Sequence, residues 1–240
     1  MTLRERPYRR VLLKLSGEIL RGERDSGIDG QVIDRVAAEL REVLDRGIQL
    51  GIVVGGGNIF RGATGEQAGI DRATGDQIGM LATVANGLAL GSVLGQRGIP
   101  TKVMSAIPIP GVVQLFEAAS ALRALEKGQV VIFVAGTGNP FFTTDTAAAL
   151  RGLQIQADAL LKGTKVDGVY SADPVTHPDA ERFSELTYGE VLSRELGVMD
   201  LAAAALCASQ GLRVVVFNMR EPGALVRVLD GEKIGTVIHA

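Results

Sequence analysis

Val130-Val131-Ile132-Phe133-Val134-Ala135-Gly136-Thr137-Gly138-Asn139-Pro140-Phe141-Phe142-Thr143-Thr144-Asp145 opens on six apolar residues, most of them β-branched. An unbroken run of this kind marks a strand covered on both faces, the middle of a parallel sheet. Glycine and proline then stop the strand. Thr144 or Asp145 is placed to cap a helix over residues 146–155, rich in alanine and leucine. A strand end, a glycine loop and a helix start therefore coincide. In open α/β sheets ligands sit at such points. The loop offers close backbone approach, three threonine hydroxyls, an amide and a carboxylate.

The same alternation extends in both directions. Upstream, residues 10–15 (Arg-Val-Leu-Leu-Lys-Leu) form a short strand that runs into Ser16-Gly17-Glu18. Asp29 is set to cap a helix over 31–46, whose apolar residues Val32, Ile33, Val36, Leu40, Val43 and Leu44 follow a 3.6-residue period. A strand over 48–54 closes on Gly55-Gly56-Gly57-Asn58. Residues 71–96 read as a long glycine-studded helix, 101–107 as a strand and 114–127 as a helix. Downstream, strands are expected over 157–162, 213–218 and 235–239, and helices over 198–209 and up to Leu229. Residues 173–179 read as a polar loop. Strands and helices alternate without a fixed-period repeat. The expectation is α/β: a three-layer αβα sandwich around a mainly parallel twisted sheet, residues 1–240 forming one domain.

Composition agrees and excludes several classes. Of 240 residues, 46% are hydrophobic, too many for a disordered chain, while aromatics are only 4% and glycines number 31. That favours tight helix-on-sheet packing over an aromatic-rich β-sandwich. A net charge of −2 gives no general pull toward nucleic acid or a membrane surface. The basic N-terminal stretch, Leu3-Arg4-Glu5-Arg6-Pro7, is not followed by an apolar signal region, and no apolar run approaches ~18 residues. Cys207 stands alone in an alanine-rich segment and reads as a buried small hydrophobe; the cytoplasm is the default compartment. With His177 and His239 far apart, a zinc site is not expected.

Several residues carry chemistry. Lys14 is a cation in an otherwise apolar strand, where a charge points to a ligand more than to the needs of the fold. In Gly55-Gly56-Gly57-Asn58, glycine lets backbone N–H groups curve round an anion. Arg61 follows, and its guanidinium fork fits phosphate oxygens. No Gly-x-x-x-x-Gly-Lys-Ser/Thr motif is present, which excludes a P-loop. Gly136-Thr137-Gly138 begins like a dinucleotide fingerprint, but Pro140-Phe141 stands where x-Gly belongs, and Asp158 opens a strand where the ribose-binding acid should close one. Asp76, Asp145 and Asp173 sit at glycine- or proline-marked breaks. With Lys14 and Arg61 they suggest charge balancing around phosphates and magnesium. Of the adjacent Phe141 and Phe142, one is expected in the core and the other beside a ligand.

These motifs resemble the amino-acid-kinase superfamily and, within it, closely the bacterial uridylate kinases. The matching stretches are Leu12-Leu13-Lys14-Leu15-Ser16-Gly17-Glu18, Gly55-Gly56-Gly57-Asn58-Ile59-Phe60-Arg61-Gly62, Gly79-Met80-Leu81-Ala82-Thr83, Met104-Ser105-Ala106-Ile107-Pro108, the run from Gly136 to Asp145, Ala172-Asp173-Pro174, Val198-Met199-Asp200-Leu201-Ala202 and Phe217-Asn218-Met219. They span nearly the whole chain in family order.

The resemblance implies phosphoryl transfer from ATP to UMP with Mg²⁺, giving UDP and ADP. It implies that Lys14, Leu15, Ser16 and Gly17 hold ATP phosphate with Gly57 and Arg61 beside them, and that Thr164, Tyr170 and Asp173 hold the ATP nucleoside. It places UMP on Gly56, Asp76, Thr137, Gly138, Asn139, Pro140, Phe141, Phe142, Thr143 and Thr144. Lys14, Arg61 and Asp145 would be catalytic, with Lys162 or Lys165 as a second lysine and no metal held directly by protein. It further implies a homohexamer, inhibition by UTP and, through the loop Gly22-Glu23-Arg24-Asp25-Ser26-Gly27, activation by GTP; no nucleic acid or membrane partner is expected. Val175-Thr176-His177 stands where several relatives carry a lysine after the Asp-Pro pair. Two other classes fit the same fold: a non-catalytic uridine-nucleotide sensor, which would tolerate loss of Lys14, and a kinase of carboxylates or carbamates, which should lack Pro140-Phe141-Phe142-Thr143-Thr144.

Overall fold

The computed structural model describes residues 8–61, 69–174, 176–177 and 179–240. Leu3 to Pro7, Gly62, Val175 and Pro178, which figure in the expectations above, lie outside the described residues.

The apolar strands assemble into one nine-stranded sheet. In chain order its members are β1 (Arg10–Leu15), β2 (Gln49–Val54), β3 (Thr101–Ser105), β4 (Gln114–Leu115), β5 (Val130–Val134), β6 (Ala159–Thr164), β9 (Glu185–Thr187), β10 (Arg213–Asn218) and β11 (Thr236–His239). A separate antiparallel pair, β7 (Val169–Tyr170) and β8 (Arg182–Phe183), lies outside it. The sheet order is β4-β3-β5-β2-β1-β6-β10-β11-β9. Every pairing is parallel except β10 with β11. The carboxyl ends of β1, β2, β5, β6 and β10 therefore share one edge, which is what positions the site.

The helices are α1 (Gly17–Leu20), α2 (Gly30–Asp45), α3 (Arg72–Gln96), α4 (Ala118–Glu126), α5 (Thr144–Gln154), α6 (Tyr188–Ser193), α7 (Leu201–Gln210) and α8 (Ala224–Leu229). Successive residues of β5 feed opposite cores, as a doubly covered strand must. Val130, Ile132 and Val134 pack with α2, α3 and α8. Val131 and Phe133 pack with α4, α5 and α7. The three-layer expectation holds.

Several boundaries differ from the sequence expectation, each for a tertiary reason. The helix expected over 114–127 starts at Ala118, because Gln114 and Leu115 pair with the edge of β3. The strand expected over 157–162 starts at Ala159, because the Asp158 carboxylate takes the N–H groups of Arg9 and Arg10 at 2.6 and 2.8 Å. The helix expected from Val198 starts at Leu201, where Asp200 caps it by accepting from the Ala203 N–H. The cap of α5 is Thr143, not Thr144 or Asp145, so Asp145 lies inside the first turn. The strand expected to reach Ile107 ends at Ser105.

One correction bears on class. By length and apolarity α3 is sufficient to cross a bilayer, although glycine and polar residues interrupt it. Its buried residues, among them Met80, Val84, Leu90 and Leu94, belong to the core over the sheet. That is the behaviour of a core helix.

The approach of α3 to β5 is set by Gly87. A Cβ added there would lie 2.2 Å from Cγ1 of Val134, a fully buried strand residue. At 2.2 Å the overlap belongs at the upper end of the overpacking range, about 2–3 kcal/mol, against a gain of ~1 kcal/mol in helix propensity. Gly87→Ala is expected to lower stability by about 1–2 kcal/mol overall, read as a fall of several degrees in the thermal unfolding midpoint. An unchanged or raised midpoint would show that helix and sheet can move apart freely.

Candidate active site

Lys14 and Lys162 are the centre of the site. β1 and β6 are parallel neighbours, and the two lysines face each other in register. Both follow a pair of leucines in an apolar strand, so both are carried to the same depth at the same sheet edge. Two ammonium groups side by side and mostly covered repel strongly. Asp145 answers this. Its Oδ1 lies 2.9 Å from Nζ of Lys14 and its Oδ2 2.6 Å from Nζ of Lys162. Only 12% of either lysine side chain and 15% of the aspartate is exposed. Lys162 also donates to the Val198 carbonyl. Burial alone would push the Asp145 carboxyl up, but the fields of Lys14 and Lys162 outweigh it and hold it below the usual carboxylate range. Burial, reinforced by the charge of Lys14 and opposed by Asp145, draws the Lys162 ammonium down.

Asp145 is held in turn by the start of α5. The Thr143 hydroxyl accepts from the Asp145 N–H at 3.0 Å. Asp200, capping α7, takes hydrogen bonds from the hydroxyls of Thr143 and Thr146 at 2.5 and 2.8 Å. Despite partial burial, these bonds and that from the Ala203 N–H keep the Asp200 carboxyl low. The segment 198–200 thus grips both Lys162 and the helix that carries Asp145.

Two clefts adjoin this cluster, one through Lys162 and the other through Thr144, the neighbour of Asp145. One, of about 220 Å³, is lined by Gly56, Gly57, Phe60, Asp76, Thr83, Thr137, Asn139, Phe142, Thr143 and Thr144, among others. Its floor depends on Gly56, where a Cβ would fall 2.7 Å from the Gly79 carbonyl of α3. Asp76 accepts from the Phe141 N–H at 2.7 Å and from Nε of Arg72 at 3.0 Å, tying the 136–143 loop to α3. Thr83 accepts from the N–H of Ala135 at 2.7 Å, and Ala135 itself has φ +61°. The second cleft, of about 630 Å³, is lined by Lys162, Thr164, Tyr170, Asp173, Val198 and their neighbours.

The expected residues are therefore brought together with some redistribution. Gly57 lines the smaller cleft, although the resemblance puts it with ATP; its carbonyl accepts from Nε of Arg61 at 3.2 Å. Gly138, Pro140 and Phe141 lie on the loop without lining that cleft. Neither phenylalanine is in the core: Phe141 is 68% and Phe142 49% exposed, a correction of the expectation that one would be buried. The turn after β5 lifts that segment off the sheet, and Phe141 takes φ +71°. Leu15 is fully buried and its carbonyl accepts from the Gly55 N–H at 2.9 Å, so its side chain serves the core while its backbone joins the two loops. Ser16 caps α1, its hydroxyl accepting from Glu18 N–H at 3.3 Å. Tyr170 donates to Asp167 at 2.6 Å.

The two lysines left open as alternatives have different partners: Lys162 joins Lys14 on Asp145, whereas Lys165 pairs with Glu18. The repeated Leu-Leu-Lys pattern was the available signal. Asn58 and Asn86 were missed as a unit: they exchange side-chain hydrogen bonds at 3.0 and 2.7 Å, and Asn86 also donates to the Gly55 carbonyl at 2.7 Å, fixing the glycine loop.

Residues 9–218 match the amino acid kinase family. A uridylate kinase of Marinobacter nauticus is 57% identical over 232 residues, covering 97% of this chain and 96% of that one. A uridylate kinase of Vibrio campbellii is 56% identical, covering 100% and 99%. Among solved structures, UMP kinase from Bacillus anthracis superposes with a TM-score of 0.95 at 39% identity, covering 98% of this chain and 97% of that one. UMP kinase from Ureaplasma parvum superposes with a TM-score of 0.92 at 38% identity, covering 99% and 100%.

The lowered Asp145 value has a consequence for stability. A carboxylate held down in the fold contributes fully above its unfolded value of ~4, and the contribution is lost as pH falls through its own lower value. Removing one partner of a buried charge cluster costs about 3 kcal/mol or more. Asp145→Asn should therefore be destabilised by that amount at neutral pH, and the gap to the unsubstituted protein, followed by urea unfolding, should shrink only below about pH 4. A gap already closed at pH 6 would contradict the placement of Asp145 between two cations.

Proposed function

The chain belongs to the amino acid kinase family, and from that premise we propose that it phosphorylates UMP, moving the γ-phosphoryl group of ATP to give UDP and ADP. The observation that carries the proposal is the Lys14–Asp145–Lys162 cluster at the carboxyl edge of the sheet, with Lys162 lining the larger cleft and Thr144, the neighbour of Asp145, lining the smaller. The relatives' names support UMP as the acceptor. The comparisons lend nothing to a carboxylate or carbamate kinase.

In this proposal UMP occupies the smaller cleft, with Asp76 and the 137–144 loop around it. The ATP nucleoside lies in the larger cleft beside Thr164, Tyr170 and Asp173, with its phosphates directed toward Lys14, Ser16, Gly17 and Arg61. Two anions must be brought together, and that repulsion is the obstacle the site has to offset. Lys14 pairs with Asp145, and an ammonium group carries more N–H donors than one such contact uses, so donors are left for the transferring group. Lys162 lines the larger cleft and faces the same point. Fixed cations of this kind act most strongly where charge spreads over the phosphoryl oxygens in the transition state. Asp145 acts as the organiser of both lysines. Because its oxygens are engaged by them, Mg²⁺ is read as arriving with ATP, held by phosphate oxygens and supplying further charge neutralisation. Among the described residues that line the two clefts there is no histidine or cysteine, which supports direct in-line transfer.

The proposal extends, on the family resemblance, to the whole chain acting as one catalytic unit, to homohexamer assembly in the cytoplasm, and to UTP inhibition and GTP activation.

A coupled assay of ADP release should give turnover with UMP and none with glutamate or acetylglutamate; the reverse preference would overturn the proposal. Lys14→Ala is expected to lower kcat by ~10²-fold or more with UMP affinity largely kept, since the charge acts on the moving group. An unchanged kcat would remove Lys14 from the mechanism. Asp76→Asn should raise the KM for UMP rather than for ATP; an effect confined to ATP would mean the two clefts have been assigned in reverse.

A further inference from the structure

Glu18 stands beside the Ser16-Gly17 turn with both carboxylate oxygens on cations. Its Oε1 is 2.5 Å from Nη2 of Arg61, and its Oε2 meets Nζ of Lys165. The three residues come from three different strand ends: Glu18 just beyond β1, Arg61 beyond β2, Lys165 directly after β6. All are partly exposed. Exposed ion pairs add little to stability, so the fold gains little by drawing three long side chains from three elements to one point. The point has another meaning. It lies along the same carboxyl edge as Lys14 and Lys162, where Thr164, one residue before Lys165, already lines the larger cleft.

Two guanidinium- or ammonium-bearing side chains around one carboxylate leave an excess positive charge, and Arg21 adds a further cationic field there. A hydrogen bond from Lys165, aided by these charges, keeps the Glu18 carboxyl below the ordinary carboxylate range, so it is fully ionised at neutral pH. A polyphosphate carries several negative charges and many acceptor oxygens, and Arg61 and Lys165 would both gain by exchanging one carboxylate for it.

Building on the kinase proposal, we propose that Glu18 is a placeholder anion: it holds Arg61 and Lys165 in position in the unliganded protein and yields both to the polyphosphate of a nucleoside triphosphate. Lys165 is thereby a phosphate-binding residue, distinct from the Lys14–Lys162 pair that faces the transferred group. Glu18 opposes the ligand it prepares for, since its charge competes for the same donors and repels the incoming phosphates.

The test is calorimetric titration of the full-length protein and the variants E18Q, K165M and K165R with inorganic tripolyphosphate and with MgATP, alongside steady-state kinetics. E18Q should bind tripolyphosphate about three- to tenfold more tightly, the effect expected when one or two exposed ion pairs no longer compete. K165M should bind it about tenfold more weakly, K165R should restore most of the loss, and the KM for UMP should stay unchanged in all three. A merely structural pairing predicts instead that E18Q and K165M weaken binding alike. Weaker tripolyphosphate binding by E18Q would overturn the placeholder role, and unchanged binding by K165M would overturn the assignment of Lys165. If the unsubstituted protein makes UDP while E18Q binds tripolyphosphate unchanged, this inference fails alone. If it makes no UDP, the kinase proposal fails first.

Discussion

A single carboxylate shared by two mostly buried lysines is the constraint on which the structure turns. Adjacent parallel strands lie ~4.8 Å apart, so two lysines in register are forced into each other's field. Without Asp145 the sheet edge would carry two uncompensated charges in a poorly hydrated place, which few folds tolerate. The position of α5 follows from this need. Its first turn must deliver the carboxylate to the strand ends, Thr143 caps that turn, and Asp200 fastens the cap from α7. The same compensation that makes the cluster stable leaves it short of negative charge, and that deficit is what a phosphoryl group would fill.

The sheet supplies the rest by topology. Parallel strands end on one side, so glycine loops after β1, β2 and β5 and the turn after β6 face a common space. Close packing then makes this space precise in position. Gly56 allows α3 to press against the β2 loop, the Asn58–Asn86 pair locks that loop from behind, and Thr83 pins the turn after β5. A site built on such supports can hold reactants in place without large rearrangement of its backbone, and phosphoryl transfer depends chiefly on positioning and charge. The strand ends carry two ion clusters, one deep and tightly paired at Lys14 and Lys162, one outer and more exposed at Arg61 and Lys165.

Much of this was legible in the sequence, for identifiable reasons. β5 and its loop were clear because an uninterrupted β-branched run followed by Gly-Thr-Gly-Asn-Pro admits few other structures. α2 was clear because its apolar residues keep a 3.6-residue period and Asp29 caps it. The short strands β4, β7, β8 and β9 were not, since two or three residues carry no period and owe their conformation to a partner strand. Helix starts were displaced wherever the capping side chain was chosen by tertiary contact, as at Thr143 and Asp200. Among candidate site residues, Lys14, Asp76 and Asp145 declared themselves as charges at breaks or within apolar strands. Lys162 repeats the Lys14 pattern but became decisive only once β1 and β6 were known to be neighbours. Glu18 gave no separate signal, because its meaning depends on Arg61 and Lys165 arriving from other strands.

The most direct measurement is a crystal structure of the protein with UMP and a non-hydrolysable ATP analogue bound together. The account predicts the γ-phosphate analogue between the two clefts, with Nζ of Lys14 and Nζ of Lys162 each about 3 Å from its oxygens and Asp145 still bridging the two lysines. A γ-phosphate lying away from both ammonium groups, with the Lys14–Asp145–Lys162 cluster untouched by either nucleotide, would contradict it.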